Sequence, residues 1–201
     1  MRGRGRRGRG GPARDRGFRL RRPGLFVAAL LEAAKQLEPT NPADPSTILG
    51  PMIDAENGAR IESWVEEARE AGAKILLPFR RDGTKLWPIV AADVPRGAKL
   101  REREIFGPVA TVEAFDQFDD AVARANDSRY GLQASVFTRD ISNAMKAFDR
   151  LEVGGVIVND APTLRIDNFP YGGTKASGFG REGVRYAIEE MTEPRTLFLK
   201  P

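Results

Sequence analysis

Cysteine and histidine are both missing from this chain of 201 residues. Without cysteine there are no disulfides and no thiol nucleophile; without histidine there is no imidazole triad; without both there is no zinc site of the usual kind. No apolar run is long enough to span a bilayer, and the N-terminus is arginine and glycine with no signal-peptide core. A soluble cytoplasmic protein is expected, with no membrane partner and no metal. What is present is 41% hydrophobic content and 14 prolines, enough for a substantial core in one domain or at most two.

The net charge of +4 is unevenly distributed. Residues 1–22 contain ten arginines and one aspartate, about +9, which leaves about −5 for the remainder. That stretch has no hydrophobic period and is expected to be a disordered basic tail. Three readings are open for it: a solvated tail, an arginine–glycine arm that neutralises nucleic-acid phosphates, or a shifted reading frame in GC-rich sequence. Only Phe18 interleaves an aromatic, which counts against base stacking and against a nucleic-acid partner.

From Pro23 onward the periodicities are regular. Leu25 to Leu37 reads as a helix with Phe26, Leu30, Ala33 and Ala34 on one face. Asp54 is placed to cap a helix over 55–71 whose Ile61, Trp64, Val65 and Ala68 form a core stripe. Residues 73–79 and 86–91 flank Asp82-Gly83 and predict a hairpin or paired strands. Strands over 109–115, 133–137 and 155–159 alternate with helices over 118–125 and 141–151, capped by Asp116 and Asp140. Such alternation with short connections predicts an α/β fold with a parallel sheet under helices. The glycine-rich loop over 159–183 is too long for a mere connector, and a helix over 184–191 and a short terminal strand over 196–199 follow.

The stretch with most chemistry is Glu104-Ile105-Phe106-Gly107-Pro108-Val109. A carboxylate offers two acceptors to a vicinal diol such as a ribose, and a nearby ring offers a flat face. Gly107 allows close approach or a sharp turn, and Pro108 is tolerated where a strand begins. The same residues also fit a plain strand start, with an exposed acid beside a core phenylalanine. Together with Gly50-Pro51-Met52-Ile53, Asn126-Asp127-Ser128-Arg129-Tyr130-Gly131-Leu132 and the run Pro170 to Gly183, they resemble the C-terminal, catalytic-domain part of the NAD(P)-dependent aldehyde dehydrogenases. The resemblance runs from about Leu25 to the C-terminus.

That resemblance implies a parallel-sheet catalytic domain, here incomplete, over residues 23–195, and an oligomerisation strand over 196–201 that joins a homo- or hetero-oligomer. It implies NAD or NADP as cofactor and a small aldehyde as substrate, with Glu104 on the nicotinamide ribose and Phe106 near the nicotinamide. Asp160 and Ala161 would border the aldehyde tunnel. The family's cysteine is expected roughly fifty residues before Gly50-Pro51, where the basic tail stands instead, and its glutamate base and dinucleotide domain are expected earlier still. No residue here is assigned as catalytic, and independent activity is not expected. Gly178 to Gly183 also spells G-x-G-x-x-G, but it follows a loop and not a strand, so its glycines are read as tight helix entry. Two alternatives remain beside an inactive, truncated or frame-shifted dehydrogenase: a non-catalytic interaction fragment, and nucleic-acid binding through the tail.

Overall fold

Residues 23–201 are described by a computed structural model of the chain; the basic tail, and every expectation placed on it, lies outside them. In chain order the elements are α1 (Pro23–Lys35), α2 (Ala55–Glu70), β1 (Lys74–Leu77), β2 (Arg81–Asp82), β3 (Lys85–Leu86), β4 (Ile89–Ala92), α3 (Lys99–Glu102) and β5 (Val109–Val112). They continue with α4 (Phe118–Asn126), β6 (Tyr130–Gly131), β7 (Gln133–Val136), α5 (Ile141–Arg150), β8 (Gly155–Val158), β9 (Thr174–Lys175) and α6 (Val184–Met191). The fold is α/β, as the alternating periods predict. No helix among the described residues is long and apolar enough to cross a membrane.

Helix α2 organises the core. Asp54 caps it, accepting the Asn57 N–H at 2.7 Å, and its Ile61, Val65 and Ala68 are buried as the stripe predicts. They pack with Leu86, Ile89, Ala91, Val94, Ala98 and Leu100, and Trp64 closes the margin half-buried. Helix α1 is less embedded: Ala34 is buried, but Phe26 is 54% exposed. Asp140 caps α5 through the Ser142 N–H at 2.8 Å. Asp116 does not cap α4, because Gln117 occupies that position and makes no side-chain bond.

The sheet departs from expectation in its pairing. Strand β1 runs antiparallel to β4 around the short β2–β3 hairpin, which carries the Asp82-Gly83 turn. Strand β4 then pairs in parallel with β5, and β7 with β8, but β5 and β7 are not neighbours. A single parallel sheet through β5, β7 and β8 was the simplest reading of the alternation. What the chain forms among its described residues is two separate parallel pairs, joined by α4. Residues 196–199 carry no strand assignment, since a strand is defined by a ladder partner and none lies within the described chain.

Candidate functional site

The four motifs distinguished in the sequence converge on the loop that enters β5. Beneath it, a Cβ on Gly107 would collide with the Ile61 Cδ1, and Met52 of the Gly50-Pro51-Met52-Ile53 motif lies beside that contact. Gly107 is therefore needed for close approach, the first of the two roles read for it. Arg60 Nη2 donates to the Ile105 carbonyl at 2.6 Å, and the Ile105 side chain packs on the core. Between these two anchors Phe106 is forced to φ +51°, a left-handed conformation that costs a non-glycine residue about 1–2 kcal/mol. The outcome is a ring 75% exposed, turned out from the core and not packed into it.

Glu104 is exposed as well, and it lines a cavity of about 540 Å³ with Ser128, Tyr130, Gly131, Ala176 and Ser177. The far wall of this cavity is fixed by contacts between the other two motifs. Strand β6 pairs with β9, the Gly131 N–H donates to Ser177 Oγ at 3.0 Å, and a Cβ on Gly131 would collide with the Glu152 carbonyl and Thr174 Oγ1. Lys175 Nζ donates to the carbonyls of Asn126 at 2.7 Å and Ser128 at 3.2 Å. Asn126 in turn bonds the Arg150 carbonyl and the Glu152 N–H. These residues build the wall by turn chemistry and packing.

Asp160 and Ala161 stand elsewhere, on the loop after β8. Asn159 takes φ +62° there, and its Oδ1 accepts the Thr138 N–H at 2.8 Å. Ser135 Oγ donates to the Asp160 carbonyl at 2.6 Å, and Asp160 Oδ1 accepts the Ala161 N–H at 2.7 Å. Both residues are exposed, and neither lines the cavity beside Glu104. The structure thus brings Glu104 and Phe106 onto one loop and leaves Asp160 and Ala161 apart from them. Arg60, which shapes the site from a helix, escaped the sequence reading, and Ser177 was read only as part of the glycine-rich run, with no role of its own. No local pattern marks a side chain whose partner is more than forty residues away.

The sequence profile of the aldehyde dehydrogenase family matches residues 23–197. The chain belongs to the aldehyde dehydrogenase family. It is 48% identical over 174 residues to 3-sulfolactaldehyde dehydrogenase of Priestia megaterium, covering 87% of this chain and 36% of that enzyme. Aldehyde dehydrogenase 21 of Physcomitrella patens, solved with succinate, superposes with a TM-score of 0.82 at 44% identity, over 87% of this chain and 36% of that one. A glyceraldehyde-3-phosphate dehydrogenase of Methanocaldococcus jannaschii, solved with NADP, gives 0.79 at 39% identity over 85% and 37%. This aldehyde dehydrogenase chain therefore spans a little over a third of the length of the relatives it matches.

Proposed function

We propose that the chain supplies the nicotinamide-ribose side of an NAD(P)-dependent aldehyde dehydrogenase active site. Glu104 would accept hydrogen bonds from the ribose hydroxyls and Phe106 would lie against the nicotinamide. The observation that carries this reading is the braced loop: a carboxylate and an aromatic ring two residues apart, both exposed, with the carboxylate lining a cavity of about 540 Å³. Two carboxylate oxygens match a vicinal diol, and a free ring face matches a flat heterocycle, so the residues fit that end of a dinucleotide. NAD(P)+ supplies the hydride acceptor when bound. The chain's own work is to orient it: Arg60, Ile61 and Met52 keep the loop from relaxing, and Phe106 retains its outward pose at the cost of backbone strain.

Asp160 and Ala161 are assigned to the aldehyde side, on a loop steadied by Ser135 and by the side chain of Asp160 itself. Attack on an aldehyde by the family route needs a thiolate, and the chain has 0 cysteines, so these 201 residues alone are expected to turn over no substrate. The test replaces the matched part of the Priestia megaterium enzyme with residues 23–197 of this chain. Glu104→Gln in that chimera should raise the KM for the dinucleotide about tenfold, the scale of a lost hydrogen bond to a charged group, with the aldehyde KM unchanged. An unchanged dinucleotide KM would remove the assignment. A second reading, assembly with another subunit through 196–199, is favoured by the exposure of Leu197, Phe198 and Leu199. Strictly monomeric behaviour on mixing with a full-length relative would remove it. A cytoplasmic location agrees with both.

A further inference from the structure

Another cavity, polar and of about 470 Å³, shares Ser128 with the one beside Glu104. Four guanidinium groups line it, those of Arg96, Arg101, Arg103 and Arg129, against two carboxylates, Glu102 and Asp127. This excess of positive charge stands in a body that carries about −5 outside the basic tail, so the cluster is no sample of the overall balance. Two of the four are tied down. Arg96 pairs with Asp127 at 2.9 Å, and Arg101 donates to the Val94 carbonyl at 3.2 Å and pairs with Glu113 at 3.2 Å. Asp127 is thereby taken up by Arg96, and the Glu102 carboxylate accepts the Gly97 N–H. Arg103 and Arg129 are exposed and have no carboxylate partner among the described residues. Arg129 lies over the Tyr130 ring, 5.6 Å from its centroid. Ser128 Oγ accepts the Tyr130 N–H at 3.1 Å, which leaves its own O–H to donate.

We propose that this cavity binds a phosphate dianion, free or esterified to a small polar molecule, through Arg103, Arg129 and the Ser128 hydroxyl, as a site separate from the cavity beside Glu104. Two unpaired guanidiniums on one cavity repel each other, and a shared anion removes that repulsion while filling both donor forks. A carboxylate neutralises one of them and leaves the other. A phosphate brings up to two charges and three acceptor oxygens, enough for both forks and the hydroxyl together. Arg96 and Arg101 add to the field without giving up their own bonds. The donors also stand on fixed backbone: Lys175 Nζ holds the Ser128 carbonyl at 3.2 Å, the Arg129 carbonyl accepts the Ala176 N–H at 2.9 Å, and the Arg103 N–H closes α3 onto the Lys99 carbonyl at 3.0 Å. The volume suits a small ligand, and the ring that would stack on a nucleic-acid base is already engaged by Arg129. The site rests on the charges and bonds of this cavity, not on the reading of Glu104.

The test is a titration of the full 201-residue chain with inorganic phosphate and, separately, with glycerol 3-phosphate, followed by amide NMR shifts. The Arg103, Ser128 and Arg129 amides should move together and saturate. Arg103→Gln and Arg129→Gln should each weaken the binding about tenfold or more, the scale of a lost hydrogen bond between charged groups, with the urea midpoint unchanged because both side chains are exposed. Arg139→Gln, at an exposed arginine outside the cavity, should change nothing. Should a cavity substitution move the midpoint, the shifts of the parent chain still decide. Tighter binding of the ester identifies an esterified ligand, and equal binding identifies the free ion. Equal shifts with acetate at the same ionic strength overturn the proposal. So does binding that survives both cavity substitutions, which places the anion on the tail, or a single-stranded RNA oligonucleotide that moves the same amides at lower concentration. In the Priestia megaterium chimera, which lacks the basic tail, calorimetry should show phosphate binding that Arg129→Gln weakens and NAD+ does not displace. Absence of that binding means that the rest of the fold covers the cavity, and displacement by NAD+ means that the two cavities hold one ligand; either overturns the proposal. An unchanged dinucleotide KM in Glu104→Gln would discard the reading of Glu104 and leave this site standing.

Discussion

The segment from α2 to β5 and the segment from α4 to α6 are built from similar elements and are buried very differently. In the first, Ile61, Leu86, Ile89 and Val90 are all within 2% of complete burial, and β4 is covered on both faces. In the second, the buried apolar side chains are Val122, Ala144 and Ala147, all small or short. Helix α5 turns Ile141, Met145 and Phe148, one stripe at helical spacing, out to solvent, and α6 does the same with Val184, Ile188 and Met191. The first segment contains its own core. The second leaves its apolar stripes exposed among the described residues.

The largest effect should therefore come from the first segment. Ile61→Ala in the isolated chain should cost about 3–4 kcal/mol in urea unfolding, because a fully buried side chain is lost under the loop and the strands together. Ile141→Ala should cost less than about 0.5 kcal/mol in the same assay, since it removes no packing from a side chain 73% exposed. Equal costs would end the distinction between the segments. Pairing Met145→Ser with Phe148→Ser should improve solubility of the isolated chain at little loss of stability, read as soluble yield and urea midpoint.

Next in size is Gly107→Ala, where the new Cβ would push on the Ile61 Cδ1 and overpack the first core by about 1–3 kcal/mol. Phe106→Gly should act in the opposite direction. It relieves the positive φ and should stabilise the isolated chain by about 1 kcal/mol while removing the ring from the proposed nicotinamide face. A variant that gains stability and, in the chimera, loses dinucleotide affinity would show that the strain is retained for binding. One that loses stability would mean that Phe106 packs more than its 75% exposure allows.

Local physics explains which parts of this structure were legible. The α2 stripe, the caps at Asp54 and Asp140 and the turn at Asp82-Gly83 depend on neighbours within one or two turns, and each stands where its pattern put it. Asp116 failed as a cap because the chain stays extended for one more residue, a difference that propensity does not resolve. Strand pairing is not local at all: nothing in β5 or β7 says that they are separated, since the alternation of strand and helix is the same whether or not another strand lies between. At the site, the residue types of Glu104 and Phe106 were readable, but the left-handed backbone at Phe106 was not. That conformation is imposed by Arg60 and Ile61 from a helix more than forty residues earlier, and phenylalanine has no preference for it.

The smallest effect is a pH dependence that enters the first segment through its helix cap. The Asn57 N–H, and then the Asn57 side chain, donate to the Asp54 carboxylate and hold it below the usual carboxylate range. A carboxyl whose folded value lies below its unfolded one stabilises the fold when ionised. That contribution is fully present above the unfolded value near about 4 and is lost as pH falls through the lower folded value. Because α2 carries Ile61, Val65 and Ala68, loosening its first turn is felt by the core and not by a free end. Asp54→Asn retains a capping oxygen and removes the titration. Its unfolding midpoint should match that of the parent near neutral pH and fall less steeply below about pH 4, with residual acid sensitivity from Asp44 and Glu66, whose carboxyls are also held low by their bonds to Ser46 and Arg69. Parallel curves for the two proteins would mean that the cap does not communicate with the core, and that the first segment is less cooperative than its burial indicates.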